Sequence, residues 1–185
     1  NNGLMKEYIH GGDIYRHPDV LDYSANINPL GTPPGVIRAA KDSMERVCHY
    51  PDACQEKLKQ ALAEYEQVPV EWLICGNGAA ELIFALVQAV KPKRALVLAP
   101  TFAEYAQALE AVGCEVNREI LKKEDGFTLQ DRILDRLQKE DLQMVFLCNP
   151  NNPTGILMDP KLLRKIVTLC EKRQIYLVVD ECFLD

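Results

Sequence analysis

The chain has 185 residues, of which 48% are hydrophobic and 26% are charged, and its formal net charge is −6. This composition is typical of a soluble globular protein that can bury a sizeable core, and it excludes disordered and collagen-like chains. The acidic balance, without a block of basic residues, argues against nucleic acid or an anionic membrane as the partner. No apolar run approaches the ~20 residues that a membrane-spanning helix needs.

Cysteine and histidine usage narrows the class further. Seven cysteines form no C-x-x-C pair and four of them lie in apolar runs, which predicts reduced, buried thiols. Reduced thiols are typical of the cytoplasm, where we expect the protein. The N-terminus lacks the basic and apolar regions of a signal peptide. The three histidines share no spacing, and we expect no metal site.

The first third of the chain is rich in loops. Residues 1–34 are dense in Gly, Pro and Asn, which interrupt regular structure. From Gly35 onward apolar residues recur at three- and four-residue steps, which predicts a helix, and a second helix is predicted over Ala53–Glu66.

From Trp72 onward short apolar runs alternate with amphipathic stretches. The predicted strands are Trp72–Cys75, Ala95–Ala99, Glu115–Leu121, Met144–Cys148 and Ile175–Val179. The predicted helices between them are Ala79–Val90, Phe102–Val112, Leu129–Lys139 and Pro160–Arg173. The alternation predicts an α/β fold, a mostly parallel sheet with helices on both faces. Four of the strand candidates are nearly all apolar, as expected for strands buried on both sides.

Ligands of open α/β sheets bind beyond the carboxyl ends of the strands, so the segments after each strand are the natural place for a site. The first is Gly76-Asn77-Gly78-Ala79-Ala80-Glu81. Glycines allow close backbone approach and the free amides of a helix start attract an anion such as phosphate. A tight turn without a ligand is an equally good interpretation. Glu81 stands where a dinucleotide-binding fingerprint would have its third glycine.

The segment after the second predicted strand is Pro100–Tyr105. Thr101 is expected to cap the following helix. Phe102 and Tyr105 lie three residues apart on one helix face. They either pack into the core or form an aromatic wall against a flat ligand.

Two further strand ends carry polar side chains. Asn149–Gly155 has three asparagines and two prolines, and we expect a rigid turn that holds amide groups near the ligand. Asp180 follows directly after the last predicted strand, where a carboxylate is costly unless it is paired. A protonated ring nitrogen or an arginine would pair with it, and a surface acid or helix cap is the alternative.

In order and spacing these segments, with Tyr50-Pro51-Asp52 and Ser24–Gly31 before them, resemble the fold-type I pyridoxal 5′-phosphate enzymes of the aminotransferase I/II family. Within it the chain is most similar to threonine-phosphate decarboxylases of cobalamin biosynthesis, and next to histidinol-phosphate aminotransferases. The resemblance implies a transferase-like large domain whose N-terminal part is residues 35–185, cut off in mid-domain. Residues 1–34 would contribute to the substrate pocket.

The resemblance also implies which residues hold the cofactor phosphate. Gly78, Ala79 and Ala80 would donate backbone amides to it at a helix N-terminus. Tyr50 would reach the phosphate of the neighbouring subunit, which implies a homodimer with shared active sites.

The cofactor ring would contact three other residues. Phe102 would stack on it, Asn152 would hydrogen-bond its hydroxyl oxygen, and Asp180 would pair with its nitrogen. An opposite charge at hydrogen-bond distance favours the protonated ring. A protonated ring is the better electron sink.

His10, Gly11, Asn26 and Asn152 are the expected substrate contacts, with His10 near a substrate phosphate. The expected reaction is decarboxylation of L-threonine O-3-phosphate to (R)-1-amino-2-propanol phosphate. Phe183 favours it, since related aminotransferases commonly have Tyr there.

Two alternatives remain open at this point. The first is a histidinol-phosphate-type aminotransferase, and the second is a non-catalytic fragment that binds the cofactor. In the family the lysine that binds the cofactor covalently lies beyond the position of Asp185, so we expect this chain by itself to be inactive.

Overall fold

The computed structural model describes residues 11–184. The chain divides into two compact units, one ending at Glu56 and the other beginning at Lys57. The first unit contains helix α1 (Pro34–Ser43), which continues into a short 3₁₀ turn at Met44–Arg46. Helix α2 (Glu56–Glu66) starts at the boundary, one turn later than its predicted start at Ala53.

The second unit is built around four strands and four further helices. The strands are β1 (Arg94–Ala99), β2 (Glu115–Ile120), β3 (Met144–Cys148) and β4 (Tyr176–Asp180). The helices are α3 (Ala79–Val90), α4 (Ala103–Ala111), α5 (Arg132–Lys139) and α6 (Pro160–Arg173). The strands form one parallel sheet in the order β2-β1-β3-β4, with Ala95 opposite Val116 and Met144, and Cys148 opposite Asp180. The predicted α/β fold class is therefore confirmed.

Helices cover both faces of the sheet because side chains alternate along each strand. Leu96 and Leu98 of β1 point into a cluster with residues of α5 and α6. Ala95 and Val97 point to the other side, into a cluster with residues of α3 and α4. All residues of β3 are buried, as expected for a central parallel strand.

One predicted strand is wrong. Val70–Trp72 forms a 3₁₀ turn, and Leu73–Cys75 belongs to no strand of the described chain. Trp72 and Ile74 are 74% and 78% exposed. A strand requires a neighbour that accepts its backbone hydrogen bonds, and none of the four described strands lies beside this segment. The edge strand β4 is likewise only half-buried.

Ion pairs hold α5 against β2. Glu119 of β2 is 4% exposed and pairs with Arg132 at 2.5 Å and with Arg136 at 3.0 Å. Arg136 also pairs with Glu140 at 2.5 Å. The hydrogen bond from Arg136 is the main cause that lowers the pKa of Glu140. The buried carboxylate of Glu119 needs these two arginine partners, because an unpaired charge at a buried position would be costly.

All seven cysteines are free thiols. Cys114, Cys148 and Cys170 are buried, whereas Cys48 and Cys54 are exposed. Burial raises the pKa of Cys170 to about 11. Within residues 11–184 no helix combines the length and apolarity that crossing a bilayer requires.

Candidate functional site

The carboxyl ends of the parallel strands place several predicted site residues at one edge of the sheet. Cys148 and Asp180 are the last residues of the neighbouring strands β3 and β4. The backbone N–H of Asn149 donates to the carbonyl oxygen of Asp180 at 2.8 Å. The loop after β3 therefore begins directly beside the last residue of β4.

Asn151 joins the loop after β1 to the loop after β3. Its Oδ1 accepts from the Thr101 hydroxyl at 2.8 Å, and its Nδ2 donates to the Pro100 carbonyl at 3.1 Å and to the Thr154 hydroxyl at 2.9 Å. Asn151 is 3% exposed. Thr101 is consequently not the helix cap that its position predicted. Phe102 occupies the N-cap position of α4 without a side-chain capping bond.

The three asparagines of this loop have different environments. Asn149 is buried, and its Oδ1 accepts from the Met158 N–H at 2.8 Å. Asn151 makes the inter-loop bonds given above. Asn152 is half-buried; its backbone N–H donates to the Cys148 Sγ at 3.4 Å, and its side chain makes no hydrogen bond within residues 11–184. The side-chain amide of Asn152 thus makes no bond to residues 11–184 that a ligand would have to replace.

The Asp180 carboxylate accepts two hydrogen bonds. The Tyr105 hydroxyl donates to Oδ2 at 2.6 Å, and the Cys182 N–H donates to Oδ1 at 3.0 Å. Each oxygen keeps a second lone pair, so the carboxylate can still accept a further donor. Asp180 is half-buried.

Tyr105 is fully buried and lies below this edge of the sheet. Its ring stacks on Phe146 at a centroid distance of 4.9 Å and meets Phe102 edge to face at 5.5 Å. Burial, followed by the hydrogen bonds to Asp180 and Cys148, raises the pKa of the Tyr105 phenol far above its usual value. Tyr105 is therefore part of the core and cannot form an aromatic wall against a ligand. Phe102 is half-buried and is the one of the two rings that a flat ligand could contact.

The turn before α3 has the backbone geometry of an anion site. Gly78, the N-cap residue, has φ 88°, and an added Cβ would meet no atom within 4 Å. Ala79 and Ala80 are exposed, and no side chain of the described chain caps the helix at Gly78. The carboxylate of Glu81 instead folds back to the N–H of Asn77.

The position of this turn relative to the sheet follows from chain direction. Ile83 and Val87 of α3 belong to the same buried cluster as Ala95 and Val97 of β1, and only a short connection separates the end of α3 from the start of β1. The helix therefore runs opposite to the strand. Its N-terminus, where the first backbone N–H groups have no partner within the helix, points to the same sheet edge as Asp180.

The predicted substrate residues Gly11 and Asn26 belong to the first unit, whereas Asn152 belongs to the second. The backbone of Gly11 lies against Ser24, so that an added Cβ would be 1.9 Å from the Ser24 carbonyl oxygen, and the N–H of Gly12 donates to the Ser24 hydroxyl at 2.8 Å. Two glycine-containing segments that are distant in sequence thus meet. Asn26 and Tyr50 are exposed, and His10 lies outside the described residues.

Sequence reasoning missed the link between Tyr105 and Asp180. A tyrosine in an apolar helix face indicates only that its hydroxyl needs a partner. The 75 residues between the two give no local signal of which partner it is.

The profile of the aminotransferase class I and II family matches residues 18–185. A threonine-phosphate decarboxylase of Salmonella typhimurium is 46% identical over 95% of the chain and 50% of that protein. A histidinol-phosphate aminotransferase of Desulfitobacterium hafniense is 36% identical over 90% of the chain and 47% of that protein.

Solved structures agree with these matches. The crystal structure of the histidinol-phosphate aminotransferase from Clostridium acetobutylicum superposes with a TM-score of 0.76 at 26% identity, covering 88% of this chain and 47% of that one. The chain thus spans about half the length of the relatives it matches.

Proposed function

Since the chain belongs to the aminotransferase class I and II family, we propose that it forms part of an enzyme that decarboxylates L-threonine O-3-phosphate to (R)-1-amino-2-propanol phosphate in cobalamin biosynthesis. The observation that carries this proposal is the 46% identity to a threonine-phosphate decarboxylase along almost the whole chain. Phe183, where related aminotransferases commonly have Tyr, supports the same reaction.

Pyridoxal 5′-phosphate is the cofactor, and the second unit fits it. A phosphate group needs several N–H donors and a positive potential, which the open N-terminus of α3 at Gly78, Ala79 and Ala80 supplies. Gly78 has φ 88°, a conformation that glycine adopts readily. Because glycine has no Cβ, the backbone at this position can approach the phosphate closely.

The ring of the cofactor fits the other end of the same sheet edge. Asp180 offers a carboxylate with spare lone pairs, and Asn152 offers an unused side-chain amide. Phe102 presents a half-buried ring shortly after the carboxyl end of β1. When bound, the cofactor withdraws electrons from the substrate Cα as the bond to the carboxylate breaks.

Each of these residues would fix a different part of the cofactor. The α3 amides would anchor the phosphate, so that the ring cannot slide along the sheet edge. Phe102 would hold the ring by one face, and Asn152 and Asp180 would fix its rotation through hydrogen bonds at two of its edges. A fixed ring plane is needed because only a bond perpendicular to it is weakened.

The choice between reactions is proposed to depend on the first unit. His10, Gly11 and Asn26 would bind the substrate, and the close contact of Gly11 with Ser24 would give that loop a defined shape. Binding energy from a phosphate far from the reacting bond can orient the α-carboxylate for loss as CO₂. Asn152 would contact substrate as well as cofactor.

The assembly is proposed to be a cytoplasmic homodimer. Tyr50 is 100% exposed in the single chain, which leaves its ring and hydroxyl free to reach the cofactor phosphate of a second subunit. The lysine that binds the cofactor covalently would be supplied from outside residues 1–185, so the chain by itself is expected to be inactive.

A substrate test on the full-length protein separates decarboxylation from transamination. Incubation with L-threonine O-3-phosphate should release CO₂ and form the amino-alcohol phosphate without a 2-oxo acid. The 36% identity to a histidinol-phosphate aminotransferase supports the second candidate. Under that candidate, turnover of histidinol phosphate would depend strictly on 2-oxoglutarate, and no CO₂ would form from threonine phosphate.

A further inference from the structure

We propose that Tyr105 is a positioning residue: its hydroxyl holds the Asp180 carboxylate in the orientation that pairs with the cofactor ring nitrogen. This inference rests on the proposed function, since it assumes that Asp180 faces that nitrogen. Tyr105 itself would touch neither the substrate nor the reacting atoms.

The geometry supports a fixed donor. The hydroxyl of Tyr105 lies 2.6 Å from Asp180 Oδ2, a short distance for a bond between a phenol and a carboxylate. The ring cannot turn away, because it is 0% exposed and stacks within 14° of parallel on Phe146. The phenol stays protonated, since its pKa is raised far above the usual value.

Among residues 11–184 no cation forms an ion pair with Asp180. Tyr105 from α4 and Cys182 after β4 both interact with Asp180, and Cys148 from β3 interacts with both of these groups. The carboxylate therefore has neutral donors on two sides and can pair with a protonated ring nitrogen.

The same tyrosine also connects Asp180 to Phe102. One turn of α4 carries both aromatic residues, and the edge of one ring meets the face of the other at 5.5 Å. A displacement of Tyr105 would move both Phe102, which is proposed to stack on the cofactor ring, and Asp180, which is proposed to pair with the ring nitrogen. Tyr105 thus ties two cofactor contacts to one buried anchor.

The test uses the full-length protein loaded with pyridoxal 5′-phosphate that carries ¹⁵N in the ring. Tyr105→Phe keeps the buried ring and removes only the hydroxyl. We expect the pH midpoint at which the ring nitrogen loses its proton to fall by about one unit, a tenfold change in that equilibrium. The Kd for the cofactor should rise about tenfold.

Tyr176→Phe is the matched control. Tyr176 lies on β4, as Asp180 does, but its side chain is 58% exposed. Removing its hydroxyl should leave both the ¹⁵N midpoint and the Kd as in the wild-type protein. Equal effects of the two substitutions would overturn the inference.

Asp180→Asn separates failure of this inference from failure of the proposed function. If the ring ¹⁵N signal of Asp180→Asn equals that of the wild type, Asp180 does not pair with the ring, and both proposals about it are wrong. If Asp180→Asn changes the signal and Tyr105→Phe does not, only the role of Tyr105 is refuted.

A second measurement covers the case in which Tyr105→Phe does not fold. Introducing 3-fluorotyrosine at position 105 keeps the hydroxyl and adds a ¹⁹F reporter beside it. Its resonance should shift when the protein is loaded with cofactor and should shift again in the Asp180→Asn background. A resonance that stays constant through both changes would refute the link between Tyr105 and the cofactor.

Discussion

Two adjacent asparagines with opposite environments give a sharp test of the site. Asn151 is buried and makes three side-chain hydrogen bonds, two of which connect the loop after β3 to the loop after β1. Asn152 is half-buried, and its side chain bonds to none of the described residues. We therefore expect Asn151→Ala to destabilise the fold and Asn152→Ala to weaken cofactor binding.

The magnitude follows from the bonds that are lost. A buried intramolecular hydrogen bond contributes about 1 kcal/mol net, so Asn151→Ala should lower the free energy of unfolding by about 3 kcal/mol. Asn152→Ala removes none of these bonds, and its effect should stay within about 0.5 kcal/mol, as for ordinary surface substitutions. Asn152→Ala should instead raise the Kd for pyridoxal 5′-phosphate about tenfold.

The assay is urea unfolding of the cofactor-free full-length protein, followed by a cofactor titration of each variant. Both variants should keep the wild-type dependence of unfolding free energy on urea, so that the midpoints can be compared directly. Equal midpoints for the two variants would refute the structural role of Asn151. An unchanged cofactor Kd for Asn152→Ala would refute the assignment of Asn152 to the cofactor ring.

Three further predictions follow from single residues. Gly78→Val places a β-branched residue at φ 88°, so it should cost roughly 1–3 kcal/mol of stability and abolish phosphate binding at α3, as read from cofactor titration. Because Arg136 lowers the pKa of Glu140 from its usual 4.5, this carboxylate stabilises the fold above that pH and the contribution is lost as the pH falls through the lowered value. Urea midpoints of the wild type and Glu140→Gln should therefore converge in acid, and a constant difference would contradict this. At pH 8 iodoacetamide should modify the exposed Cys54 well before the buried Cys170, whose pKa is about 11. Peptide mass mapping would show which thiol reacts first, and modification of Cys170 before Cys54 would contradict this prediction.

Local sequence patterns predicted most of the regular structure correctly. Helix α6 and strand β3 have the predicted bounds, Pro160–Arg173 and Met144–Cys148. The apolar spacing of a helix and the apolar run of a buried strand are properties of neighbouring residues, so a single sequence contains them. The predicted strand at Trp72–Cys75 failed because an apolar run does not say whether a neighbouring strand is present to pair with it.

The site was predicted as a set of positions rather than as contacts. The turn at Gly78, the ring of Phe102 and the carboxylate of Asp180 follow strand ends or a helix start that the pattern located. Thr101 was expected to cap α4, yet it donates to Asn151, 50 residues away. Capping preferences concern only the residues at one helix end. The Thr101 hydroxyl instead bonds to Asn151, which lies near it only because the loops after β1 and β3 pack together.

The sequence by itself determined the alternation of strands and helices, and with it the parallel sheet whose carboxyl edge holds the candidate site. The order of the strands, β2-β1-β3-β4, and the separate tasks of Asn149, Asn151 and Asn152 were decided only in three dimensions. Tyr105 and Asp180 likewise meet because Tyr105 stacks on Phe146 of the central strand β3, with its hydroxyl reaching the end of the neighbouring strand β4. Side chains that are far apart in the chain come into contact only when the core packs their helices and strands together. The short-range periodicity of a sequence does not specify which of these residues will meet.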